Sequence, residues 1–205
     1  MPAIVIGGGL TAIDTATELF AYYPVQVEKV LDRYEQLVQE TGEAAVLQCF
    51  TQRERSILDE FIAHGKAVRA ERARASAAGE QPNFVNLVRS WGGVSIVYRT
   101  RMVVSPAYRL NHEEIIKCLE EGITFAECLD PVEALPDDYG AIQGVRFLVL
   151  HKRGGKFAPS GRDLTLPCRS LLVAAGTTPN ITYEKEHPGS FQKDPQGKFF
   201  QSHRL

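Results

Sequence analysis

The apolar positions of this chain follow two periods, and the switch between them marks its elements. A short β-branched run, Ile4-Val5-Ile6, predicts a first strand. From about Leu10 to Phe20 or beyond, Ala12, Ala16 and Leu19 recur at helical spacing, until Tyr22-Tyr23-Pro24 interrupts the pattern. Val27, Val30, Leu31, Tyr34, Leu37 and Val38 then form an amphipathic stripe with a plausible stop at Gly42. A second long helical pattern runs from Glu43 to about Ser76, carried by Val46, Leu47, Phe50, Ile57, Leu58, Phe61 and Ile62. Residues 77–82 read as a loop, and Phe84, Leu87, Val88 and Trp91 as a short helix closed by Gly92-Gly93.

The second half returns to the strand period. Val94 to Thr100 alternates and ends in arginine. SPAYRL reads as a loop, followed by a helix near Asn111 to Glu121 that Gly122 caps. ITFAECLDPVEAL predicts one or two strands, and GVRFLVLHK with RDLTLP a hairpin joined by a Gly-rich loop. Ser170 to Gly176 reads as a buried strand. The tail from Thr177 is polar, holds Pro179, Pro188 and Pro195, and predicts little regular structure. No internal repeat is visible. Strands alternating with helices predict a parallel α/β sheet with crossovers.

The most informative stretch is AIVIGGGLTAIDTATE, from Ala3 to Glu18. Gly7, Gly9 and Ala12 form G-x-G-x-x-A directly between a predicted strand and a predicted helix. The first glycine permits a tight turn, the second lets a pyrophosphate approach the backbone, and the small third residue lets helix and strand pack closely. Amides from Gly8 through Leu10 to Thr11 would point at the phosphates, helped by the helix dipole. Glycine clusters are common in turns that bind nothing, so the flanking strand and helix carry the inference.

Two readings exist for the strand that follows the first helix. In one, Val25 to Leu31 is the second strand, and Asp32 lies about 20 residues past the glycines, where an acid grips the ribose of NAD. In the other, the second strand is Val94 to Tyr98, and Arg99 and Arg101 at its end suit the 2′-phosphate of NADP. The second is favoured: Val25 to Val38 fits the helical period better, and its charges are unusual for a central parallel strand.

Composition adds mostly exclusions. With 23 Lys and Arg against 25 Asp and Glu, the formal net charge is -2, so no global basic field draws nucleic acid or membrane. No run is apolar enough to span a bilayer, and no signal-peptide pattern precedes the first strand. The four cysteines form no C-x-x-C and read as reduced core thiols of a cytoplasmic protein. The histidines lack metal-ligand spacing, and no G-x-S-x-G elbow is present. No catalytic residue and no metal ligand is therefore nominated.

GGGLTAIDTATE, VSIVYRTR, SPA, an acid before LEEGITF, and VAAGTTPN occur in an order that resembles the NAD(P)H-binding domain of FAD-dependent pyridine nucleotide-disulfide oxidoreductases, nearest the small subunit of glutamate synthase. The resemblance covers Ala3 to about Phe20 and Val94 to about Asn180. It implies a Rossmann-like α/β fold with a β-meander before its last core strand, and it leaves the intervening helical stretch as an insertion after the first helix. It assigns Gly7, Gly9 and Ala12 to the pyrophosphate and Asp14 to the nicotinamide region. Tyr98-Arg99 match the start of a Y-R-R motif for the 2′-phosphate, with Thr100 in place of the second arginine and Arg101 one step later. Glu114 matches a structural acid. Ala174-Ala175-Gly176 match a strand end whose small residues leave room for cofactor, and Pro179-Asn180 match the exit toward a flavin domain.

The implied chemistry is hydride transfer from NAD(P)H to FAD, with FAD held by the rest of a parent protein and not by this chain. The chain has one glycine fingerprint and no second one for FAD, and so reads as an excised domain or a fragment of a larger flavoprotein. Expected boundaries are residues 1–22 and 92–180 for the NAD(P)H-binding domain, 23–91 for the helical insertion, and 181–205 for a tail leading back to the missing FAD domain. The expected partners are that FAD domain and an electron-acceptor subunit. The Lys66 to Arg74 surface of the insertion would meet an acidic partner. The competing reading is a non-catalytic Rossmann-like interaction module whose helical insertion docks a partner.

Overall fold

Ala3, Ile4 and Val5 are buried, as expected of a strand covered on both faces. A computed structural model, which describes residues 1–176, 180–197 and 199–201, places them in β1 (Ala3–Ile6) at the centre of a parallel sheet. On one side β1 pairs with β2 (Val94–Tyr98), in a register running from Ala3↔Val94 to Ile6↔Val97. On the other it pairs with β7 (Ser170–Val173), and β2 carries β3 (Thr124–Glu127) outward. The order is β3-β2-β1-β7. The second strand is thus Val94–Tyr98, and Val25 to Leu31 is helical.

The first helix departs from expectation. α1 (Leu10–Thr41) runs straight through Pro24. A mid-helix proline costs about 3 kcal/mol or more, because the carbonyl four residues back loses its donor. Phe20, Pro24, Val27 and Leu31 form one buried stripe, and burying Phe20, Val27 and Leu31 is worth about 1.5–3 kcal/mol each, which together exceeds that cost. The boundary expected at residue 23 therefore falls inside a continuous helix. Gly42, at φ +85, ends it.

The second helical pattern is broken where one helix was expected. α2 (Glu43–Gln48) stops, and α3 (Gln52–Ala78) restarts at Thr51. The Thr51 hydroxyl accepts from the Glu54 amide while the Glu54 carboxylate accepts from the Thr51 amide, a capping box. α1 and α3 cross at Gly65, where a Cβ would stand 2.6 Å from the Val27 carbonyl oxygen. Around the crossing Arg69 pairs with Asp32 and Glu35, Arg72 with Glu28, and Arg74 with Glu71 and Glu80. The arginines expected to meet an acidic partner are thus satisfied within the chain.

Several contacts fasten this lobe, among them Glu60 of α3 with the Met1 ammonium and Arg169. The Tyr23 hydroxyl and His64 Nδ1 lie 2.8 Å apart, and the His64 ring stacks on Trp91 at 4.0 Å. Arg53 pairs with Asp137 at 2.7 Å and lies over the Tyr139 ring. Next come α4 (Val85–Ser90), closed by Gly92 and Gly93, then α5 (Pro106–Leu110) and α6 (His112–Glu120). SPAYRL is therefore a helical turn and not a loop: the buried Ser105 hydroxyl accepts from the Tyr108 amide, and Pro106 occupies the first turn.

The second sheet is antiparallel, in the order β4 (Leu129–Pro136), β5 (Ile142–Arg153), β6 (Lys156–Pro167). Cys128, at φ +59, separates β3 from β4. The expected Gly-rich loop shrinks to Gly154-Gly155 between two 12-residue strands. Alternation along β1 sends Ala3 and Val5 into a core with Ile13, Phe20 and Ile115, and Ile4 into a core with Val145 and Phe147 of the meander. The parallel sheet is therefore sandwiched between helices and meander.

Met1–Ala174 form one compact unit and Ala175–Leu205 another. The strand expected to be buried at Ser170 to Gly176 is a four-residue edge strand whose Val173 is 71% exposed. The second unit holds α7 (Thr182–Glu186) and a Lys193–Phe200 bridge, more regular structure than its prolines suggested. Cys118 and Cys168 are buried, whereas Cys49 is exposed and no core thiol. Pro179 of the expected exit motif lies outside the described residues.

Candidate dinucleotide site

At the carboxyl end of β1 the chain turns through Gly7, Gly8 and Gly9 into α1. Each glycine meets a different demand. Gly7, at φ +156, donates its amide to the Val97 carbonyl, and a Cβ there would lie 2.3 Å from the Ala174 carbonyl oxygen. The β7 backbone thus closes directly onto it. A Cβ on Gly8 would lie 2.4 Å from the Tyr98 ring, and the Gly8 carbonyl accepts from the Ala107 amide at 2.9 Å. Gly9 is ordinary extended backbone, φ -97 and ψ 174, and nothing lies within 4 Å of where its Cβ would be. Its outward face is open. Ala12 is fully buried against the turn, as close helix–strand packing requires.

The amides of Gly8, Gly9, Leu10 and Thr11 find no acceptor among the described residues. They sit at the N-terminus of a 32-residue helix, whose dipole adds partial positive charge to the same spot. Leu10 packs against the core, and Thr11 is exposed. Asp14 is exposed one turn further along α1, with no ion pair among the described residues.

The neighbouring strand supplies the other charges. Val97 is paired with Ile6, so Tyr98 and Arg99 leave β2 beside the glycine turn. Arg99 and Arg101 are exposed, and neither guanidinium makes a hydrogen bond or ion pair among the described residues. Burial, and then the Glu127 carboxylate, push the Cys128 thiol pKa up, and Arg101 only partly opposes them.

Of the residues singled out in sequence, Gly7 to Ala12, Tyr98 and Arg99 come together at one end of the parallel sheet, and Arg101 follows on the same segment. Ala175 and Gly176 open the second unit, both exposed, with Gly176 at φ +118. Asp32 stands on α1 against Arg69, not at a strand end. Glu114 pairs with Lys117 on α6 at 3.6 Å. Two contacts escaped the sequence. The Ala107 amide on Gly8 was foreshadowed by Ser105-Pro106, a helix-start signal. The Met102 amide on the Glu127 carboxylate, at 2.6 Å, had no local signal. Among the described residues no group of His, Cys, Asp or Glu could hold a metal, and no helix is long and apolar enough to cross a membrane.

No known family profile matches the chain. An uncharacterized protein, RP006, of Rickettsia prowazekii (strain Madrid E) is 30% identical over 214 residues, covering 98% of this chain and 28% of the relative. The chain thus spans little more than a quarter of the curated relative it matches. Among solved structures, thioredoxin reductase of Lactococcus lactis (FR conformation) is similar at 16% identity and TM-score 0.41, over 91% of this chain and 35% of that one. Bacillithiol disulfide reductase of Bacillus cereus is similar at 12% identity and TM-score 0.39, over 95% and 34%.

Proposed function

We propose that this chain is the NAD(P)H-binding module of a larger FAD-dependent oxidoreductase, of the pyridine nucleotide-disulfide type and similar to the glutamate synthase small subunit. The observation that carries the reading is the set of four unpartnered amides from Gly8 to Thr11 beside the open face of Gly9, with two unpaired arginines one strand away. The amides would hold the pyrophosphate. Arg99 and Arg101 would hold the 2′-phosphate, favouring NADP(H) over NAD(H). Asp14 would lie toward the nicotinamide.

When bound, the dinucleotide supplies a hydride for a flavin. The chain's own residues would bind and orient it. The chain has a single glycine fingerprint, so FAD belongs to the rest of the parent protein, and the short span of the relative that it matches supports a larger parent. The partners proposed are that FAD domain and an electron-acceptor subunit, in the cytoplasm.

Calorimetric titration of the 205-residue chain tests this. NADPH should bind near the micromolar range and NADH at least about tenfold more weakly. Hydrogen bonds to a charged group are worth about 1.5–3 kcal/mol, so Arg99→Ala should weaken NADPH about 10- to 100-fold and leave NADH unchanged. The chain with NADPH should reduce no dye acceptor until a flavoprotein is added. Absence of binding to either nucleotide overturns the reading.

A further inference from the structure

The segment from Arg99 to Ala107 is tied down at both ends. Toward α1, the Ala107 amide donates to the Gly8 carbonyl at 2.9 Å. Toward β3, the Cys128 amide donates to the Thr100 carbonyl at 3.3 Å, and the Met102 amide donates to Glu127 Oε1 at 2.6 Å. The regular ladder between β2 and β3 ends at Tyr98↔Glu127. Beyond it Cys128, at φ +59, turns the chain toward β4, and the Leu150 amide fixes its carbonyl at 2.7 Å. The Glu127 carboxylate therefore extends the strand pairing by one side-chain rung, past the point where the backbones part.

Its choice of partner is informative. A carboxylate and an arginine that face one segment, as Glu127 and Arg101 do around Cys128, can form a strong charge-assisted pair. Here the carboxylate takes the backbone amide of Met102, the first residue of a single 3-10 turn at Met102–Val104, and the Arg99 and Arg101 guanidinium groups both stay unpaired. The contact fixes the backbone that carries Arg101 without spending the cation.

We infer that Glu127 is a positioning residue for the arginine segment and thereby sets the preference for a 2′-phosphorylated over an unphosphorylated dinucleotide. The inference rests on the nucleotide reading above. Glu127 acts through the Met102 amide, holding Arg99 and Arg101 where a phosphate can meet both. The latch and the charge of Glu127 work in opposite directions: the latch favours the phosphate and the negative charge repels it. Two substitutions separate them, since glutamine keeps the acceptor and loses the charge, whereas alanine loses both.

NADPH and NADH affinities are measured by calorimetry for wild type, Glu127→Gln, Glu127→Ala, Met102→Pro and Arg99→Ala. Proline removes the donor and leaves the carboxylate. It suits a first helical position, and Arg101 before it is already extended, at ψ 146. Glu127→Ala and Met102→Pro should each weaken NADPH about tenfold and leave NADH within about twofold, a change of about 1.4 kcal/mol in discrimination. Glu127→Gln should bind NADPH as wild type does or somewhat more tightly. Should Met102→Pro and Glu127→Ala retain full NADPH affinity while Arg99→Ala loses it, the role of Glu127 is refuted and the nucleotide reading stands. Parallel loss of NADH and NADPH in the latch variants also refutes it, as a general structural role. If wild type binds neither nucleotide, or Arg99→Ala binds NADPH normally, the underlying reading falls and this inference with it.

Discussion

Gly9→Ala separates a glycine kept for folding from one kept for a ligand. Gly9 already has a conformation that alanine adopts freely, and no atom lies within 4 Å of the new methyl group. Two small stability terms oppose each other. Restricting the unfolded chain gains about 0.4–1 kcal/mol. Gly9 is also the N-cap of α1, where alanine is worse than glycine by roughly 0.5–1 kcal/mol. The net should stay within about 1 kcal/mol, or about 2–4 °C in Tm for a chain of this size. Binding should respond differently. The methyl group would occupy the closest approach of the pyrophosphate and break two charged amide contacts, about 3 kcal/mol together, so NADPH affinity should fall about 100-fold. Gly7→Ala is the contrast, because its methyl group would meet the Ala174 carbonyl at 2.3 Å in a backbone conformation that side chains avoid. It should destabilise by more than about 2 kcal/mol. Urea unfolding followed by circular dichroism, with NADPH calorimetry on the same samples, reads both quantities. Wild-type NADPH affinity in Gly9→Ala, or unfolding as severe as in Gly7→Ala, would refute the reasoning.

Gly65→Ala should reverse the usual helix rule. On an exposed helix the change gains about 0.8–1 kcal/mol. At the α1–α3 crossing the methyl group meets the Val27 carbonyl at 2.6 Å, and overpacking of about 1–3 kcal/mol should give a net loss in urea melts. Ala63→Gly on the exposed face of the same helix calibrates the propensity term, and stabilisation by Gly65→Ala would contradict the packing. His64 should make stability fall in mild acid. Burial between Tyr23 and Trp91 lowers its pKa below the usual 6.5, and the Glu60 carboxylate only partly opposes this. The unfolded chain therefore takes up the proton first, so the His64 contribution is complete above about pH 6.5 and is lost as pH falls through the lower folded value. His64→Phe should flatten the pH dependence of Tm between pH 7.5 and 5.5, and an unchanged slope would place the titration elsewhere.

Sequence periodicity located most of this fold because most of its elements have one buried face. The strand choice is a case in point: Val94–Tyr98 alternates and is buried, whereas Val25 to Leu31 carries charges at helical spacing. The failures share a cause. Pro24 breaks helices locally, but α1 is held by its buried stripe, which a local rule cannot weigh. The halt before α3 was written in Thr51 and Glu54, a signal obscured by the hydrophobic stripe running across it. The ion pairs of Arg69 and Arg72 on α3 were not legible either, because their carboxylate partners lie about 35–45 residues earlier in the chain, beyond any helical window. At the site, the glycine turn was legible because each residue has a local reason. The Glu127 contact was not, since it depends on two strands meeting in register.

The central strand also has a temporal consequence. β1 pairs with β2 about 90 residues later in the chain and with β7 about 170 residues later. At a synthesis rate of roughly 5–20 residues per second, it waits on the order of ten seconds or more for its last neighbour. Gly7 gains its closing contact only when Ala174 arrives. The ribosome therefore delivers the beginning of the phosphate turn early and its final wall late, and any nascent chain shorter than that wall is expected to lack the assembled turn.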